Sequence, residues 1–120
     1  MTLLDYPQVP LTLSSAQTAD GGETLSVTGY LDVFTASALR PALLAAAQSS
    51  GHPKSGALTL DLSCVRFVDR AGLDLLLIVR NAVKAQNRAL TIRLRPGSQP
   101  ETIFQASKLA ELTETVQETS

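Results

Sequence analysis

Apolar and polar residues alternate from Leu11 to Ser15 and again from Thr24 to Tyr30, the two-residue period of a half-exposed β-strand. Asp20, Gly21 and Gly22 between them are turn formers, so the two runs predict a β-hairpin. After Gly29 the period lengthens. Leu31 and Asp32 lead into a run from Phe34 to Gln48, in which Leu39, Leu43, Ala46 and Ala47 recur at helical spacing and would face inward. Pro41 has no N–H to donate, so it marks either the first turn of the regular helix or a kink. A polar loop, Gln48 to Gly56, then separates this helix from Ala57 to Leu62, a run apolar enough for a buried, central strand. Helical spacing returns from Ala71 to Lys84, with Asn87 as its stop, and Ala89 to Leu94 predicts another strand. Pro96, Gly97 and Pro100 interrupt the chain, and Glu101 to Leu112 predicts a last helix with Ile103, Phe104 and Leu109 inward.

The order strand, strand, helix, strand, helix, strand, helix implies an α/β domain, a mixed sheet covered by helices. A chain of 120 residues closes one core and is too short for two. The domain is expected over residues 11–112, between a flexible N-terminal segment (1–10) and a frayed tail (113–120). Tryptophan is absent and aromatics make up only 4%, so the core must come from Leu, Val, Ile and Ala.

Charge and candidate chemistry narrow the function. Ten basic residues against eleven acidic ones, scattered along the chain, do not make a nucleic-acid footprint. Arg88, Arg93 and Arg95 gather around one late strand and read as a solvated strand face. Cys64, the lone cysteine, lies in an apolar stretch and is expected to be a small buried thiol. No stretch reaches the length of a membrane span, and the first ten residues lack a basic segment followed by an apolar run, so a cytoplasmic chain without direct membrane insertion is expected. His52, the single histidine, sits in a loop flanked by glycine and proline and reads as a surface residue. One cysteine, one distant histidine and separated carboxylates do not give metal-ligand spacing. Gly21, Gly22 and Gly51 lack the pattern of a phosphate loop. A binding module without catalysis, metal or cofactor is the expectation.

The informative segment is Leu60 to Leu77, a buried strand running through a short connection into a helix. Asp69 stands near the helix start, where a carboxylate accepts hydrogen bonds from free backbone N–H groups. Gly72 permits close approach of another backbone, at a cost in helix propensity. Leu73, Leu76, Leu77 and Val83 form the expected core stripe, and Leu75, Ile78 and Val79 widen it. These extra residues either touch neighbouring helices or, for Leu75 and Ile78 with Asp74 beside them, form an exposed docking patch.

Two motifs carry a family resemblance. Gly29 to Arg40, GYLDVFTASALR, resembles the G-x-L-D-x-x-T-A-x-x-L-R stretch of anti-sigma-factor antagonists, matching at Gly29, Leu31, Asp32, Thr35, Ala36, Leu39 and Arg40. LDLSCVRFVDRAGLDLLL is similar to the same family's apolar strand followed by aspartate, two residues, glycine and leucine. The resemblance, to the STAS domain family, spans about Leu11 to Leu112. It implies a mixed four- to five-stranded sheet covered by three to four helices, and a bacterial transcription regulator that binds an anti-sigma factor or related kinase-like protein. A homodimer is also compatible with it. The partner-binding residues it suggests are Asp32, Phe34, Thr35, Asp69, Arg70, Ala71, Gly72, Asp74 and Leu75. In phosphorylation-controlled members a serine that the partner kinase modifies precedes the motif glycine; here that position is Ala71, which has no hydroxyl. The protein then binds without this switch, or is switched at Thr35, Ser37 or Ser63, or belongs to another branch. That other branch is the small STAS subunit of lipid-transporting ABC systems, which binds an ABC transporter ATPase and whose motif also carries alanine before the glycine.

Overall fold

The computed structural model describes residues 12–17, 22–48 and 57–115. The expected N-terminal segment, Asp20 and Gly21 of the hairpin turn, Gly51, His52 and the end of the tail lie outside these residues. Strand β1 (Thr12–Gln17) pairs antiparallel with β2 (Glu23–Leu31), as the alternating pattern requires. Helix α1 (Val33–Ala47) leads to β3 (Leu58–Val68), helix α2 (Arg70–Ala85) to β4 (Leu90–Leu94), and helix α3 (Gln99–Gln105) through a 3₁₀ turn (Ala110–Leu112) to β5 (Thr113–Thr115). Strands β2 to β5 are parallel neighbours, so the five-stranded mixed sheet runs in chain order. Successive right-handed crossovers that advance in one direction stack their helices on one face of a sheet.

The core lies between that face and the helices. Leu25, Val27 and Leu31 of β2, Leu58, Leu60 and Leu62 of β3, and Leu90, Ile92 and Leu94 of β4 are all buried. The helices answer with Leu39 and Leu43 of α1, Leu76, Val79 and Val83 of α2, and Phe104 of α3. No polar or charged residue is buried among the described residues. β1, at the sheet edge, is exposed along its length.

Four expectations change. β3 runs six residues beyond Leu62, because two bulges reset its phase: Ser26 to Thr28 on β2 faces Asp61 to Cys64 on β3, and Gly29 to Tyr30 faces Val65 to Phe67. Inward positions therefore recur at Leu62, Val65 and Val68, a spacing of three that no alternating template recognises. The same shift turns Cys64 outward, so the thiol expected to be buried is exposed. Gly29 takes the second bulge with φ 120°, a conformation that strains any side chain. The last expected helix is short, ending at Gln105 before the 3₁₀ turn. Residues Thr113–Thr115, expected to fray, pair with Ile92, Arg93 and Leu94 as an edge strand.

Pro41 lies inside α1, past its first turn. Both Pro41 and Ser37 are exposed, so the Ser37 carbonyl that loses its helical donor is open to water. Asn87 stops α2 with φ 58°, and its N–H and that of Arg88 donate to the carbonyls of Lys84 and Val83 at 2.9 and 3.2 Å, closing a Schellman motif. Of the three late arginines, Arg93 reaches across the strand face to within 3.9 Å of Asp61 of β3. Arg88 instead ties two helix ends together, donating from Nη1 to the Ala46 carbonyl at 3.1 Å.

Candidate protein-docking surface

The starts of α1 and α2 meet at the C-terminal edge of β2 and β3, the end of a parallel sheet where loops are free to carry function. Asp32 caps α1: its Oδ1 accepts the N–H groups of Phe34 and Thr35 at 3.0 and 3.1 Å. Thr35 completes the box, its Oγ1 accepting the Asp32 N–H at 2.9 Å and donating to the Tyr30 carbonyl at 2.6 Å. Asp69 caps α2 by accepting the Gly72 N–H at 3.0 Å. Its own N–H donates to the Leu31 carbonyl at 3.2 Å, which joins the two helix starts.

Gly72 lets α2 press against that junction. A Cβ built there would lie 2.6 Å from the Leu31 carbonyl oxygen and 2.8 Å from Leu31 Cγ, so the close approach expected of this glycine is present. Another tie comes from α3. The Gln99 side-chain amide receives the Val68 N–H and donates to the Val68 carbonyl, both at 2.9 Å. It takes the place of a strand beside the part of β3 that outruns β4.

Capping leaves the intervening side chains pointing outward. Phe34 is 75% exposed and Val33 55%, far more than large apolar residues usually are, and Ile78 of α2 is 36% exposed. Between the helices runs a shallow groove of about 270 Å³, lined by Val33, Ser37 and Arg40 of α1 and by Ala71, Asp74 and Ile78 of α2. Arg70 stands at its rim, 3.5 Å from Asp74, with both side chains largely in solvent. Around the edge on the open face, Tyr30 and Phe67 stack at a tilt, 6.2 Å between centroids.

The residues suggested for partner binding thus divide. Phe34, Arg70 and Asp74 are exposed, and Ala71 is half-buried beside them. Leu75 is a correction in part: it lines the groove beside Ile78, but at 4% exposure it forms the buried floor and not an exposed patch. Gly72 is buried, and Oδ1 of Asp32, Oγ1 of Thr35 and Oδ1 of Asp69 are engaged in caps. Val33, Tyr30 and Phe67 were not anticipated, although alternation in β2 would have turned Tyr30 outward. Among the hydroxyls weighed as alternative modification sites, Thr35 is bound within its cap and Ser63 donates to Asp61 at 2.7 Å. Ser37 is exposed in the groove itself.

A family model described as Mlab, STAS domain, matches residues 14–114. The chain belongs to the STAS domain family. Its fold is that of solved anti-sigma-factor antagonists. One from Mycobacterium paratuberculosis superposes with a TM-score of 0.71 at 24% identity, covering 91% of this chain and 87% of that one. The Bacillus cell fate determinant SpoIIAA in its phosphorylated form gives 0.66 at 16% identity, covering 89% and 93%. Unphosphorylated SpoIIAA gives 0.70 at 15% identity, covering 89% and 90%. No curated protein sequence matches this STAS chain significantly. No helix among its described residues is long and apolar enough to cross a membrane.

Proposed function

We infer that this STAS domain is a non-catalytic docking module, an antagonist-like regulator that binds an anti-sigma factor of the kinase-like type through the surface at the starts of α1 and α2. The observation that carries this reading is Phe34, a phenylalanine three-quarters in water in the first turn of α1, where the Asp32 cap holds its backbone N–H. Burying such a side chain in a partner is worth about 1.5–3 kcal/mol. Exposed aromatics of this kind are the usual anchors of protein interfaces. Val33 and Ile78 extend the apolar patch, and Arg70 and Asp74 supply the polar rim that orients it. Ala71 carries no hydroxyl, so the interface has no phosphorylation switch at the family position. Ser37, exposed in the same groove, is the hydroxyl a partner kinase would reach, and a phosphate there would add charge of about −2 to the apolar patch.

The test is affinity purification of the tagged chain from its native cells, wild type beside Phe34→Ser and Arg70→Glu, with mass spectrometry of the bound proteins. An anti-sigma factor retained by the wild type, lost by Phe34→Ser and weakened by Arg70→Glu supports the reading. An ABC ATPase and its permease in place of the anti-sigma factor would move the chain to the transporter branch of the family. Both variants should unfold within about 0.5 kcal/mol of the wild type, because their side chains contribute little to the fold.

A further inference from the structure

A second site lies at the other end of α2, roughly 20 Å along the helix from the docking surface. There a cavity of about 320 Å³ opens between the last turn of α2, the start of β4 and the 3₁₀ turn. Arg80 and Lys84 reach it from α2, Arg88 from the loop that follows, and Lys108 from the segment before the 3₁₀ turn. Glu111 is the single acidic residue in the lining, so four cations face one anion. In a chain whose net charge is only −1, this is a strong local concentration of positive charge.

Helix-dipole compensation accounts for Lys84, which sits in the last turn of α2. It does not account for Lys108, which arrives from a separate part of the chain. Nor does it account for Arg80. Its Nε is buried and has no hydrogen-bond partner among the described residues, a state that leaves a strong donor unsatisfied. Arg80, Lys84 and Lys108 form no ion pair with any described residue. The floor is of a different character: Leu90 and Leu112 line it, one buried and one half-buried. A cationic rim over an apolar floor, at the small end of ligand-pocket volumes, suits a compact molecule with a multiply charged head and an apolar body.

We propose that this cavity binds a small phosphate monoester, its phosphate held by Arg80, Lys84 and Lys108 and its organic part lying on Leu90 and Leu112. Arg80 contributes the partly buried donor, whose planar guanidinium suits phosphate oxygens, and the two lysines supply charge from opposite walls. Glu111 offsets one of the four cations, so the lining keeps an excess of positive charge and a doubly charged anion gains more there than a singly charged one.

The experiment is a titration of the ¹⁵N-labelled full chain followed by ¹H–¹⁵N correlation spectra. Phenyl phosphate is the probe, with inorganic phosphate and phenol as separate arms. Phenyl phosphate should give saturable shifts confined to residues 80–90 and 108–112, and should bind more tightly than either fragment. Arg80→Gln and Lys108→Gln should each weaken it about tenfold or more, the loss expected for one charge-assisted hydrogen bond. Arg66→Gln, at an exposed position of β3 away from the cavity, should leave it unchanged. Lys108 is exposed, so that variant tests the site even where Arg80→Gln disturbs the fold. Shifts that rise linearly without saturating, or affinities equal in wild type and both variants, would overturn the site. Inorganic phosphate binding as tightly as phenyl phosphate would overturn the assignment of an ester.

Discussion

Gly72→Ala is the sharpest test of how the two helix starts are joined. On helix propensity alone, alanine should stabilise α2 by up to about 1 kcal/mol. Packing opposes this. The added Cβ would meet the Leu31 carbonyl oxygen at 2.6 Å, Leu31 Cγ at 2.8 Å and Val68 Cγ1 at 3.2 Å. Leu31 and Val68 are completely buried, so neither side chain has room to retreat. The carbonyl already accepts the Asp69 N–H, so moving it stretches that bond as well. Overpacking of this kind costs about 1–3 kcal/mol, and the strained hydrogen bond about 1 more. The net expectation is a loss of about 1–3 kcal/mol, read as a fall of roughly 1 M in the urea midpoint with an unchanged slope. Gly97→Ala is the control. Gly97 has φ 77° with nothing within 4 Å of an added Cβ, so its loss, about 1–2 kcal/mol, is conformational and not steric. Asparagine at position 97, which tolerates that φ, should recover part of the loss, whereas no residue with a Cβ should do so at position 72. A Gly72→Ala protein as stable as wild type would refute the close-approach account.

Two further outcomes follow from single contacts. Gln99→Leu leaves the Val68 N–H and carbonyl without their partner and should destabilise the domain by about 2–4 kcal/mol in urea unfolding; Gln99→Glu, which keeps an acceptor but loses the donor, should not restore it. Cys64 should react with a thiol reagent in the native state at a rate close to that of the urea-unfolded chain, and protection from labelling would place the thiol back in the core.

The sequence determined much of this protein by local rules. Alternation and helical spacing were enough for the hairpin, for α1 and α2, and for β4, because β2, β4 and the two helices each bury one face in a regular period, while β1, exposed along its length, pairs with β2. Asp32 and Asp69 announced the helix starts, and Asn87 a stop, since caps depend on residues a few positions away. Gly72 signalled a close approach without saying what it approached. The two motifs were sufficient for the family.

Only the tertiary structure decided the rest, and in each case the cause was a partner distant in sequence. The bulges in β3 arise from its register against β2, so they lengthen the strand and expose Cys64 in a stretch that reads as buried. Leu75 and Ile78 are both apolar, three residues apart on α2 and in the lining of the same groove, yet packing leaves the first 4% exposed and the second 36%. Residues Thr113–Thr115 carry little apolar content of their own and become a strand because β4 presents an unpaired edge. Arg80 and Lys108 look like scattered surface charge until the chain folds them around one cavity. Periodicity shows which face of an element is apolar; what covers that face, or leaves it open, depends on contacts made only when the chain closes on itself.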